Sequence, residues 1–124
     1  MLVFISSPYS HPHKEVMTGR AIAAGDYAAF CMGMGLHPFS PIAHWHNIAD
    51  RCDMPTDAGP WMKYNREMLR ACDCVHVLCI DGWRESKGVG YELQWASDLR
   101  IPVWYARPDD GGYILSNSPQ IILK

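Results

Sequence analysis

The chain has 124 residues, room for one domain with its own core and too few for two of ordinary size. An apolar fraction of 48% excludes an intrinsically disordered chain. A formal net charge of −2 with no basic block removes the electrostatic footprint of a nucleic-acid binder.

Residues 2–6, Leu-Val-Phe-Ile-Ser, read as a first strand, and 7–12 as a loop. A long helix is predicted over 13–34. Met17, Ala21, Ala24, Ala28 and Cys31 recur at steps of four and three, the spacing of a buried helical stripe, and Gly35 is the stop. Residues 36–40 form a short second strand whose Pro38 suits a sheet edge. The stretch 41–60 shows no clean period and is read as an irregular wall or lid over a ligand. A helix follows over 61–71. The apolar run 74–80 is a third strand, near-continuous and therefore central and parallel. Residues 81–85 are a loop, 89–99 a helix, 101–106 a fourth strand and 109–112 a turn, with a possible fifth strand near 121–123.

Strands alternating with helices predict a single α/β domain over 1–124, a flavodoxin-like, Rossmann-like three-layer sandwich. Its parallel sheet has four or five strands in the order 2-1-3-4(-5). Ligands in such sheets sit beyond the carboxyl ends of the strands, where the strand order reverses. Here that places the loops 6–12 and 81–88 at the site. The five cysteines, Cys31, Cys52, Cys72, Cys74 and Cys79, are odd in number, and the N-terminus lacks a basic leader. With no apolar run approaching the ~18–20 residues of a membrane span, the expectation is a cytoplasmic protein with reduced, mostly buried thiols and no membrane partner.

The segment with most chemistry is Ser86-Lys87-Gly88-Val89-Gly90-Tyr91-Glu92-Leu93, between a strand and a helix. Gly88 and Gly90 let backbone approach a ligand, and a helix N-terminus offers unpaired N–H groups to an anion. Glu92 falls near the first turn, where the helix dipole favours the ionised carboxylate. As plain structure, Glu92 would be a solvated glutamate and Ser86 a helix cap. His44 and Trp45 are candidates to line a base pocket, and Trp83 to stack on a base or to pack. His44, His46 and Cys52 match no compact metal-ligand spacing, so no metal is assigned.

With Ala96 after it, this segment resembles the signature of the nucleoside 2-deoxyribosyltransferase superfamily, nearest its deoxynucleoside 5′-monophosphate N-glycosidase branch. Val3-Phe4-Ile5-Ser6-Ser7 resembles that family's first strand and phosphate loop, and Ala71-Cys72-Asp73-Cys74-Val75 the approach to its third strand. The likeness spans about residues 2–108. It implies hydrolysis of the base–sugar bond of a (deoxy)nucleoside 5′-monophosphate, with Glu92 as nucleophile on an oxocarbenium-like transition state. Ser86 stands where the transferases have Asp, which favours a 5′-phosphate, and Ser7 is a second phosphate contact. Ser116 is the counterpart of a side chain lent by a neighbouring subunit, which implies a homodimer or larger assembly. No metal or organic cofactor is implied. The sequence departs from the family twice: Asn65 occupies the place of an Asp near the base, and Val3 that of a Tyr which holds the nucleophile. Tyr9 is the candidate to replace that Tyr. Base exchange by a 2-deoxyribosyltransferase and a non-catalytic nucleotide-binding module are the alternative readings.

Overall fold

A computed structural model of the chain describes residues 1–55, 59 and 61–119. The elements are β1 (Leu2–Ser6), α1 (Lys14–Gly33), β2 (His37–Phe39), α2 (Pro41–Arg51), α3 (Met62–Arg70), β3 (Cys74–Leu78), α4 (Lys87–Asp98), β4 (Val103–Asp109) and β5 (Gly112–Ser116). The sheet runs β2-β1-β3-β4-β5, with the first four strands parallel and β5 antiparallel to β4. It is a Rossmann-like three-layer α/β fold. Among the described residues no helix is long and apolar enough to cross a membrane.

The strand period of two assigns the layers. Phe4, Val75 and Val77 pack with Leu69 of α3 and Val89 and Ala96 of α4. Ile5, Leu78 and Ala106 face the other way, onto Tyr27 and Cys31 of α1. The predicted α1 stripe is buried at Ala21, Ala24 and Cys31, with Tyr27 rather than Ala28 at its centre. Tyr27 shares a 2.6 Å hydrogen bond with His76 Nδ1, which satisfies both buried polar groups, and burial holds His76 below its usual pKa. β3 is buried along its whole length, as a central parallel strand requires. At its start, Asp73 accepts from Leu2 N at 2.7 Å and fixes the β1–β3 register.

Two elements depart from the sequence reading. The stretch 41–51 is helical, not irregular. Ser40 caps it, accepting from Ala43 N at 3.0 Å, and Pro41 sits in the first turn, where its missing N–H costs nothing. Ser40→Ala is expected to cost about 1 kcal/mol of stability in urea melts, with Ser40→Asp restoring it. The fifth strand follows directly on β4 through a tight turn whose central residues, Asp110 (φ 44) and Gly111 (φ 80), both have positive φ, the pattern that matches strand twist in a two-residue hairpin. The segment 121–123 lies outside the described residues.

Three of the five cysteines, Cys31, Cys74 and Cys79, are buried, Cys72 is intermediate and Cys52 exposed; all are free thiols.

Candidate active site

A cavity of about 550 Å³ opens beyond the carboxyl ends of β1 and β3. Its walls come from the loop after β1, from α2, from α3 and from the loop that leads into α4. This is the position expected of a parallel sheet whose strand order reverses between β1 and β3.

Glu92 is one wall residue and is only 7% exposed. Ser6, on the same face of β1 as Phe4, donates to Glu92 Oε1 at 2.6 Å. α4 begins at Lys87, so Glu92 lies in the second turn rather than the first. The dipole weakens beyond the first turn, and the expected ionised carboxylate gives way to a protonated one. Burial pushes the Glu92 pKa up to about 8, with the Ser6 hydroxyl pulling the other way. A carboxyl poised near neutrality in a cleft marks a functional group more than a structural one.

Ser86 caps α4, its Oγ accepting from Val89 N at 3.2 Å. The first-turn N–H groups ahead of Val89 have no partner within the helix, and Gly88 keeps the approach to them open in the cavity wall. Arg20 of α1 reaches the same wall. Its guanidinium donates to the carbonyls of Tyr9 (3.3 Å), Ser10 (3.0 Å) and Asp81 (3.3 Å), tying the β1 loop to the β3 loop. Gly82 (φ +92) lies directly against it, and a Cβ there would meet the guanidinium.

The α2 side is aromatic. Ile42, Trp45, His46 and Ala49 recur at helical spacing and all face the cavity. Trp45 packs on Trp61 with ring centroids 4.5 Å apart. Tyr9 from the β1 loop shares a 2.6 Å hydrogen bond with His46 Nδ1. Three buried polar atoms of this wall, Ser7 Oγ, Trp45 Nε1 and Asn65 Oδ1, have no hydrogen-bond partner among the described residues. Such atoms are rare in native folds and here converge on one space, which fits a polar ligand.

Of the residues singled out from sequence, Ser7, Tyr9, Trp45, Asn65, Ser86, Gly88 and Glu92 share this cavity. Others lie elsewhere. His44 is exposed and sits against Phe39 and the edge of Trp45. Trp83 packs on Tyr105 beneath the Arg84 guanidinium, 4.4 Å from its ring centroid. Gly90 is exposed on α4 beyond the cavity wall. Ser116 ends β5 and bonds within its own chain, donating to Ser118 O at 3.1 Å and accepting from Ser118 N. Tyr9 bonds to His46, so the hydroxyl that holds Glu92 is that of Ser6, and Val3 is buried in the core. Sequence reasoning missed Ser6 and Arg20. Ser6 was findable, since alternation along β1 puts it on the α4 side. Arg20 stands next to the α1 stripe, and only the tertiary fold shows what it grips.

One family model, described as a domain of unknown function (DUF1937), matches residues 1–106. A search of curated proteins found no match.

Proposed function

The chain belongs to the DUF1937 family, and from its cavity we propose that it is an N-glycosidase, cutting the base–sugar bond of a (deoxy)nucleoside 5′-monophosphate. The observation that carries this reading is Glu92: a buried carboxyl held by Ser6 in the wall of a cavity that combines anion-binding and aromatic surfaces. Arg20, Ser7 and the start of α4 suit a 5′-phosphate, through a guanidinium, an unpartnered hydroxyl and helix N–H groups. Trp45, Trp61 and Ile42 offer apolar faces for a planar base, and Asn65 Oδ1 an acceptor for one of its N–H groups. Glu92, once ionised, attacks C1′ as the bond to the base breaks, and water then releases the sugar phosphate. The reading supplies every step from protein side chains and water. A neighbouring subunit's contribution through Ser116 rests on the sequence resemblance.

The test is a panel of nucleosides and nucleoside 5′-monophosphates, with and without a second free base. Free base and sugar phosphate from nucleotides, at least about tenfold faster than from nucleosides, is the expected result. Base exchange would instead identify a transferase, and tight binding without turnover a nucleotide-binding module.

A further inference from the structure

Cleavage of a base–sugar bond leaves an electron pair on the base nitrogen, and the departing base needs a proton. Asn65 has none to give. Glu92 is committed to C1′ in the reading above, on which this inference rests. Two histidines line the cavity, His11 and His46.

Their ring partners separate them. His11 Nδ1 accepts from the backbone N–H of His13 at 3.0 Å. A backbone N–H only donates, so an imidazolium at His11 would set two N–H groups against each other. His46 Nδ1 faces the hydroxyl of Tyr9 at 2.6 Å. A hydroxyl both donates and accepts, so this bond survives in either protonation state of the ring. With Nδ1 held by Tyr9, Nε2 is the ring nitrogen left for a ligand. Burial and the Asp50 charge raise the Tyr9 pKa, so Tyr9 stays a phenol through the cycle. His46 also sits on a regular helix, one residue from Trp45 and a turn from Ala49, on the apolar wall suited to the base.

We propose that His46 is the general acid for the departing base and Tyr9 its positioning residue. The step balances. The imidazolium donates Nδ1–H to Tyr9 Oη and passes the Nε2 proton to the base as the C1′–N bond breaks and the Glu92–C1′ bond forms. Neutral His46 then takes a proton from the water that attacks C1′. That attack breaks the Glu92–C1′ bond, returns the carboxylate and regenerates the imidazolium.

An acid matters only when the leaving group needs one. The protein is assayed on its best-cleaved nucleotide and on 4-nitrophenyl 2-deoxyriboside 5-phosphate, whose nitrophenolate departs without protonation. His46→Gln is expected to lose about 10²-fold or more in kcat on the nucleotide and only a few-fold on the nitrophenyl substrate. Tyr9→Phe shows a smaller split in the same direction. His46→Asn serves as a second variant, and thermal melts establish that each is folded. Equal losses on the two substrates in an active enzyme, or no loss on either, overturn the assignment. Failure of the N-glycosidase reading itself looks different: the unmodified protein then releases neither base nor nitrophenolate, and the inference falls with it.

Discussion

Glu92→Gln is expected to abolish base release and, at the same time, to make the protein more stable at alkaline pH. The first effect follows from chemistry. An amide does not form the glycosyl ester, so kcat falls by roughly 10³-fold or more, the scale on which enzymes respond to loss of a nucleophile. The second follows from burial. The folded carboxyl keeps its proton up to about pH 8, whereas an unshifted one releases it near 4.5. Proton binding therefore favours the folded state, and this contribution is complete below pH 4.5 and lost as pH rises through 8. The slope across that window is at most about 1.4 kcal/mol per pH unit. Glutamine has no charge to desolvate and keeps an oxygen to accept from Ser6. Denaturant melts from pH 5 to pH 9 should show the unmodified protein losing a few kcal/mol relative to the variant. The same carboxyl shapes the rate. A nucleophile must be ionised and the His46 acid protonated, so kcat/KM should be bell-shaped in pH. In His46→Gln, with the acid gone, it should rise about tenfold per pH unit below 8 and level above it. In that variant a profile that falls through pH 8 would mean that Glu92 delivers a proton, and an active Glu92→Gln would remove it from the chemistry.

Gly82→Ala is expected to cost about 2–4 kcal/mol, a large effect for a single methyl group on a surface loop. Two causes combine. The φ of +92 is one that side chains disfavour, and the new Cβ would collide with the Arg20 guanidinium. Displacing Arg20 releases the carbonyls of Tyr9, Ser10 and Asp81 together. The loops after β1 and β3 then loosen, and on the proposed function KM for a 5′-monophosphate should rise about tenfold or more. A double-mutant cycle separates the causes. In an Arg20→Ala background the collision is gone and only the backbone strain remains, so the cost of Gly82→Ala should shrink by about 1 kcal/mol or more. Additive effects would show that Arg20 and Gly82 act independently.

The scaffold was legible because it rests on local periodicity. The run 74–80 announces a central strand, the 17–31 stripe announces α1, and alternating strands and helices fix the sheet order. α2 was hidden for a physical reason. Its inner face meets a cavity rather than the core, so Trp45 and His46 stand where Leu or Val would have marked a helix, and only Ser40-Pro41 signalled its start. β5 was hidden because Gly112–Ser116 is a short edge strand next to the turn that makes it. In the site, Glu92, Ser7, Ser86 and Asn65 were legible from motif and resemblance. The Ser6–Glu92 bond joins residues 86 apart in sequence, and Arg20 bridges to Asp81 across 61. No local pattern encodes such pairings.

The sheet's two borders are not equivalent. β2 has three residues, and its middle one, Pro38, has no amide hydrogen to offer another strand. A second molecule seeking to prolong the sheet finds no usable template on that side. Among the described residues, the opposite margin is the outer side of Gly112–Ser116, the strand that carries Ser116.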